Sequence, residues 1–147
     1  MQLEIFLKNR SDEIISESLR NISRAHLHHY EESGILEMQN RLIALFDHTL
    51  ACVRCRQLTP MTDYVEQVAE ERFREGFDLS EVQTAINVLE ETMWKVVVNE
   101  IPKENLAEAL GLITTILGIA KDTLACRYVE LATHARVRTL NMKELFV

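Results

Sequence analysis

The chain has 147 residues and a formal net charge of −7, with 47% hydrophobic and 27% charged residues. That length fits one domain and lets a core form without disulfide staples. The acidic balance excludes the basic surface that phosphate neutralisation requires, so no nucleic-acid binding is expected, and docking on anionic membranes is disfavoured.

The opening Met1-Gln2-Leu3-Glu4 does not read as a signal peptide, because Glu4, Lys8 and Arg10 interrupt any apolar run. No segment reads as apolar for long enough to cross a bilayer, so no membrane insertion is expected. Cys52, Cys55 and Cys126 are odd in number and read as reduced thiols, which implies a cytoplasmic protein.

The first predicted helix runs from Glu4 to Tyr30, with a stripe of Ile15, Leu19 and Ile22 continuing onto His26 and His29. Gly34 ends it. The second runs from Ile35 to Leu58. Met38, Leu42, Leu45, Thr49 and Cys52 share one face, and Leu36, Ile43 and Leu50 another, so much of its circumference is expected to be buried. Thr59-Pro60 restarts the chain as an N-cap with proline at the first helical position. The third helix carries Tyr64, Val65, Val68, Ala69 and Phe73, and Gly76 stops it.

Asp78 then caps a fourth helix. Glu81 holds the capping-box position, and Phe77 can staple onto Val82. Its face reads Val82, Ile86, Leu89, Met93, Val96, and Pro102 closes it. The last helix is the longest. Leu106, Leu110, Ile113, Leu117, Ala120 and Leu124 form a close-packed seam, and Ala109, Leu112, Ile116 and Ile119 widen it. No run alternates with period two. The expected fold is all-α: a bundle of about five to six helices in one domain spanning the chain, with a long C-terminal helix and a first or last helix open to breaking.

No phosphate loop, nucleophile elbow or His-Glu-x-x-His helix is present, and no cofactor or catalytic residue is expected. Glu66, Glu70, Glu90 and Glu91 fall at exposed helical positions and read as a solvated face. His26, His29 and Tyr30, with His28 beside them, form a cluster that is either structural, at the end of a helix, or a pH-sensing or ligand site. His48, Cys52 and Cys55 share a helical face. With Cys126 they make the rival reading, a metal- or redox-binding helical protein. Its weakness is that the pair lies late in a helix, where the dipole disfavours thiolate. Tyr64, Met93 and Trp94 read as core or as the lining of a pocket. Small residues recur every seven positions along the last helix, at Gly111, Gly118, Ala125 and Ala132, with Thr115 on the same strip. They suit either a homodimer seam or the close approach of another helix of the same chain. Arg136, Arg138 and Lys143 against Glu144 form a basic stub beyond it.

One segment carries a resemblance. Tyr64-Val65, Glu70-Glu71-Arg72 and Gly76-Phe77-Asp78-Leu79-Ser80-Glu81-Val82, followed by Trp94, resemble the N-terminal domain of RsbT co-antagonist (RsbRD-type) proteins. These are non-haem, globin-like sensor domains of stressosome regulators, and related domains precede some sensor histidine kinases. The helix order extends the resemblance over nearly the whole chain. It implies a globin-like fold, dimerisation, a protein signalling partner and bacterial signal input without catalysis. Arg72, Gly76 and Phe77 match the family pattern, although by their chemistry they are a helix stop and a staple. A haem globin would need a histidine lining the pocket, and Pro60 to Ile101 holds none. Family members commonly continue into an output domain, whereas this sequence stops at Val147. It is then either a fragment or a chain that works by associating with a partner.

Overall fold

The computed structural model describes the backbone of residues 2–145 and the side chains of residues 2–134. Among them it is an all-α bundle with a long C-terminal helix. The helices are α1 (Leu3–Asn9), α2 (Ser11–Arg24), α3 (His28–Ser33), α4 (Ile35–Cys55), α5 (Thr59–Arg74), α6 (Leu79–Glu100) and α7 (Lys103–Leu145). No strand occurs among the described residues.

The single helix expected from Glu4 to Tyr30 is three elements. The first break falls at Arg10 (φ −106°, ψ 11°), whose Nε donates to both carboxylate oxygens of Glu100 at 3.0 and 2.9 Å, tying α1 to the end of α6. The second falls at His26, which takes a left-handed φ of 51°. Histidine tolerates that region better than most side chains. Neither break uses glycine or proline, the signals on which a sequence reading of helix ends depends. The second break lets Leu27 and Tyr30 turn onto the core, and Tyr30 is only 4% exposed.

α4 buries the predicted face of Met38, Leu42, Leu45, Thr49 and Cys52. Of its second predicted stripe only Leu50 is buried. Leu36 and Ile43 are exposed, so α4 is wrapped less completely than its pattern suggests. α5 carries Pro60 in its first turn. α6 buries Val82, Ile86, Leu89, Met93 and Val96 as predicted, over the capping box of Asp78 and Glu81.

α7 packs mainly against α5 and α6. Its 43 residues span about 64 Å at 1.5 Å per residue. Ala109, Ile113, Ile116, Leu117, Ala120 and Leu124 are buried in the bundle. Each large apolar side chain so buried contributes about 1.5–3 kcal/mol before entropy is counted. One expectation is corrected here. Lys103–His134 is, by length and composition alone, apolar enough to cross a membrane, with a mean hydropathy of 1.5 in its most apolar window. The helix serves a protein core and still leaves much of its apolar circumference outside it, since 33% of that window is buried. The basic stub of Arg136, Arg138, Lys143 and Glu144 lies outside the residues with described side chains.

Candidate functional site

The turn between α5 and α6 organises the polar interior. Gly76 takes φ +88°, a conformation strained for any residue with a Cβ. Its N–H donates to Phe73 O at 3.1 Å, and the Phe77 N–H donates to Arg72 O at 2.9 Å. This pair of bonds is the Schellman closure of α5. The reversal drops Phe77 into the bundle at 5% exposure, next to Asp78 at the N-cap of α6.

Around Phe77, ring and carbonyl together, the fold gathers side chains from α3, α4, α5 and α7. Tyr30 meets it edge-on at 5.0 Å, and His29 lies tilted at 5.0 Å. The Arg41 and Arg72 guanidiniums sit 5.2 and 5.7 Å from its centroid, within cation–π range. The Tyr128 hydroxyl of α7 donates to the Phe77 carbonyl at 3.0 Å. Burial lifts the Tyr128 phenol to about 12.

Glu81 has a second role beyond its cap. It accepts the Asp78 N–H at 3.0 Å, and also the His29 N–H at 2.9 Å and His29 Nδ1–H at 2.5 Å. Burial pushes its carboxyl up, but the His29 and Asp78 hydrogen bonds outweigh that and hold it below the ordinary range. α3 is thereby pinned to the first turn of α6.

Arg72 is 5% exposed. One of its terminal nitrogens reaches Glu71 at 3.4 Å and Glu75 at 3.6 Å, and its Nε has no hydrogen-bond partner among the described residues. Arg41 engages Glu37 at 2.7 Å, and Glu75 and Ser33 at 3.3 Å. Beside these groups lies a cavity of about 40 Å³, lined by Tyr30, Arg41 and Tyr64 and by apolar side chains such as Ile22, Met38 and Ile86. Burial raises both the Tyr30 and Tyr64 phenols, and the nearby Arg72 charge opposes it in each.

The residues singled out from sequence fall in three places. Of the histidine cluster, His29 and Tyr30 join the Phe77 knot. His26 stands on the surface beside Glu31 (3.0 Å), and His28 beside Glu32 (3.1 Å). The rival constellation does not assemble. His48 lies flat on Tyr64 (centroids 4.1 Å apart), and its Nδ1–H donates to Ala44 O at 2.7 Å. Cys52 is buried, and that burial pushes its thiol up, away from the thiolate a metal would need. Cys55 and Cys126 are exposed. No group of three or more His, Cys, Asp or Glu side chains that could hold a metal occurs among the described residues.

Tyr64, Met93 and Trp94 do not share a pocket. Tyr64 lines the cavity and Met93 is wholly buried. Trp94 is 42% exposed, its indole N–H donating to Thr114 at 3.2 Å. On the small strip of α7, Gly111, Thr115 and Ala132 are exposed, and Gly118 and Ala125 are half-buried. A Cβ added at Gly111 or Gly118 would meet nothing within 4 Å among the described residues.

Sequence reasoning missed Arg41, Tyr128 and the link from Glu81 to His29. A signal for the first was present: Arg41 sits on the buried face of α4, three positions after Met38 and four before Leu45. Tyr128 follows Leu124 by four on the buried face of α7.

Fold and site together describe an all-helical protein with a polar and aromatic knot around one interhelical turn. The family model for the RsbT co-antagonist protein rsbRD N-terminal domain matches residues 11–140, and the chain belongs to that family. It is thus a stressosome-type signalling domain, as the resemblance at Arg72, Gly76 and Phe77 implied. No curated protein and no solved structure gave a match.

Proposed function

We propose that this protein is a single-domain, non-catalytic sensory module of bacterial signal transduction, of stress-response or histidine-kinase type. It works as a globin-like homodimer that presents a surface to a protein signalling partner. It is cytoplasmic, needs no cofactor, and inserts into no membrane. The observation that carries the reading is the open space at Gly111 and Gly118. Glycine in a helix interior costs about 1 kcal/mol relative to alanine. Among the described residues no neighbour rewards that cost at either position. A second copy of α7 approaching along Gly111, Thr115, Gly118, Ala125 and Ala132 supplies the missing dispersion contact. Trp94, bonded to Thr114 beside the strip, offers the aromatic anchor common at such seams. The apolar surface that α7 leaves outside its own bundle is then covered by protein rather than lipid.

Gly118→Leu and Ala125→Leu test the seam by light scattering and helicity measured together. A helical monomer is the expected result. Loss of the fold would return the strip to an intrachain role, and a folded dimer would remove it from the interface. Capture of a kinase, phosphatase or anti-sigma component by the wild type, but not by the monomeric variant, tests the partner.

A further inference from the structure

Among the described residues, six of the seven helices meet at one unfilled point. The cavity of about 40 Å³ takes part of its wall from each of α2 to α7, through Ile22, Tyr30, Met38, Val65, Ile86 and Leu124. None of these six residues is more than 4% exposed. Side chains around a void lose the dispersion contacts that close packing supplies, and protein interiors hold few voids larger than a water molecule. An interior water makes about three hydrogen bonds. The polar groups on this lining are the Tyr30 and Tyr64 phenols and Arg41. The Arg41 guanidinium is already engaged, by Ser33 and Glu75 at 3.3 Å and by Glu37 at 2.7 Å. Two phenols fall short of what a well-held water requires, and the other walls are apolar.

Size sets the ligand class. An apolar cavity of about 150 Å³ binds benzene, which is about 25 Å³ for each of its six carbons. At that ratio a cavity of about 40 Å³ admits about one or two heavy atoms. We infer that the cavity binds a small apolar gas, one molecule of the class of dioxygen, held by dispersion contacts alone. Organic ligands are excluded by volume, and ions by the apolar walls, which cannot replace their hydration. Occupancy adds contacts to six helices at once, α7 among them, so it stabilises the folded bundle by mass action. As a signal input the site rests on the sensory reading above, but the binding itself does not.

The test uses xenon, a single apolar atom that enters dry apolar cavities. Methyl-resolved NMR of the whole chain under xenon pressure should show saturable shifts at Ile22, Met38, Val65, Ile86 and Leu124. Leu7 and Ile14 are as deeply buried but do not line the cavity, and should not respond. Dissolved dioxygen, which is paramagnetic, should enhance relaxation at the same lining methyls and spare the same controls. Val65→Ile extends one lining side chain by a carbon and should weaken xenon binding about tenfold or more by filling the void. Ile86→Val shortens another and should keep the binding. Tyr64→Phe removes a polar group from the lining and should leave the affinity within about twofold, because dispersion does not depend on the hydroxyl.

Absence of saturable shifts with xenon, or equal responses at Leu7 and Ile14, would overturn the inference. Unchanged affinity in Val65→Ile would do the same, as would equal losses in Val65→Ile and Ile86→Val, which would trace the effect to disturbed packing. Benzene bound as tightly as xenon would assign the cavity to a larger ligand, and loss of binding in Tyr64→Phe would assign it to a polar one; either result sinks the gas site. Light scattering on the same samples separates the two readings: a monomer that binds xenon sinks the dimer and keeps the site, and a dimer that binds nothing does the reverse.

Discussion

Ser18 is wholly buried on α2, and its hydroxyl has no hydrogen-bond partner among the described residues. A buried orphan hydroxyl costs more than the apolar group that could replace it, and serine is also a poorer helix former than alanine. Ser18→Ala is therefore expected to stabilise the protein by about 0.5–1 kcal/mol, read as a higher midpoint in urea at unchanged slope. A lower midpoint would mean that a water satisfies the hydroxyl. Glu81 makes the opposite kind of contribution. Its carboxyl is held below the ordinary range in the folded state, so it is more acidic folded than unfolded. Its contribution is present in full above its unfolded pKa and is lost as pH falls through the folded value. Thermal melts should thus show stability dropping as the pH falls below about 4.5, the ordinary value for a glutamate. In Glu81→Gln that acid slope should be shallower and the neutral-pH stability lower by about 1–2 kcal/mol, from loss of the cap and the His29 bonds. An identical slope in the variant would show that other carboxylates control acid unfolding.

Between elements, the α5–α6 turn connects local capping to the assembly of the bundle. Gly76 and Asp78 close one helix and open the next by local chemistry. The side chain and carbonyl of Phe77 are then claimed by α3, α4 and α7. The bond from Tyr128 to the Phe77 carbonyl is the tie to α7, at 3.0 Å and buried. Tyr128→Phe removes the donor and leaves that carbonyl unpaired, with an expected loss of about 1–2 kcal/mol. The pH dependence follows from the phenol, lifted from 10.0 to about 12. A proton held more tightly in the folded state stabilises the fold fully below the unfolded pKa, and that support is lost as pH rises through the folded value. Alkaline unfolding of the wild type should therefore steepen from about pH 10 towards 12, and in Tyr128→Phe that component should be missing from circular dichroism melts. If both proteins unfold alike in base, the hydroxyl is not the controlling group.

For the molecule as a whole, the unused face of α7 sets the behaviour. A 43-residue helix whose most apolar window is 33% buried has surface left for a second copy. A dimer that is more stable than its monomer melts at a temperature that rises with protein concentration, by mass action. The wild type should show that rise over a hundredfold range of concentration, and Gly118→Leu should show none. A concentration-independent midpoint in the wild type would contradict the seam. The same face decides the aqueous expectation. The protein should remain with the aqueous fraction when floated with vesicles, and migration with the lipid would assign the apolar strip of α7 to a membrane.

The sequence by itself determined what local chemistry and periodicity control. The regular stripes of α6 and α7 fixed two long helices, and the Gly76-Phe77-Asp78 punctuation with Glu81 placed the turn between them, because capping and hydrophobic spacing act within a few residues. The resemblance carried on Arg72, Gly76 and Phe77 led to the right family for the same reason: those residues make a local closure. Only the tertiary structure decided the breaks at Arg10 and His26. Arg10 reaches the end of α6, and His26 turns the chain so that Tyr30 meets the core, and in neither does the residue type announce a stop. Only the tertiary structure separated His26 from His29, scattered His48, Cys52, Cys55 and Cys126, and gathered Arg41 and Arg72 over the Phe77 ring with Tyr128 on its carbonyl. Those arrangements rest on contacts between positions tens of residues apart. The spacing of side chains along one helix limits which of them share a face, but it does not say what faces them.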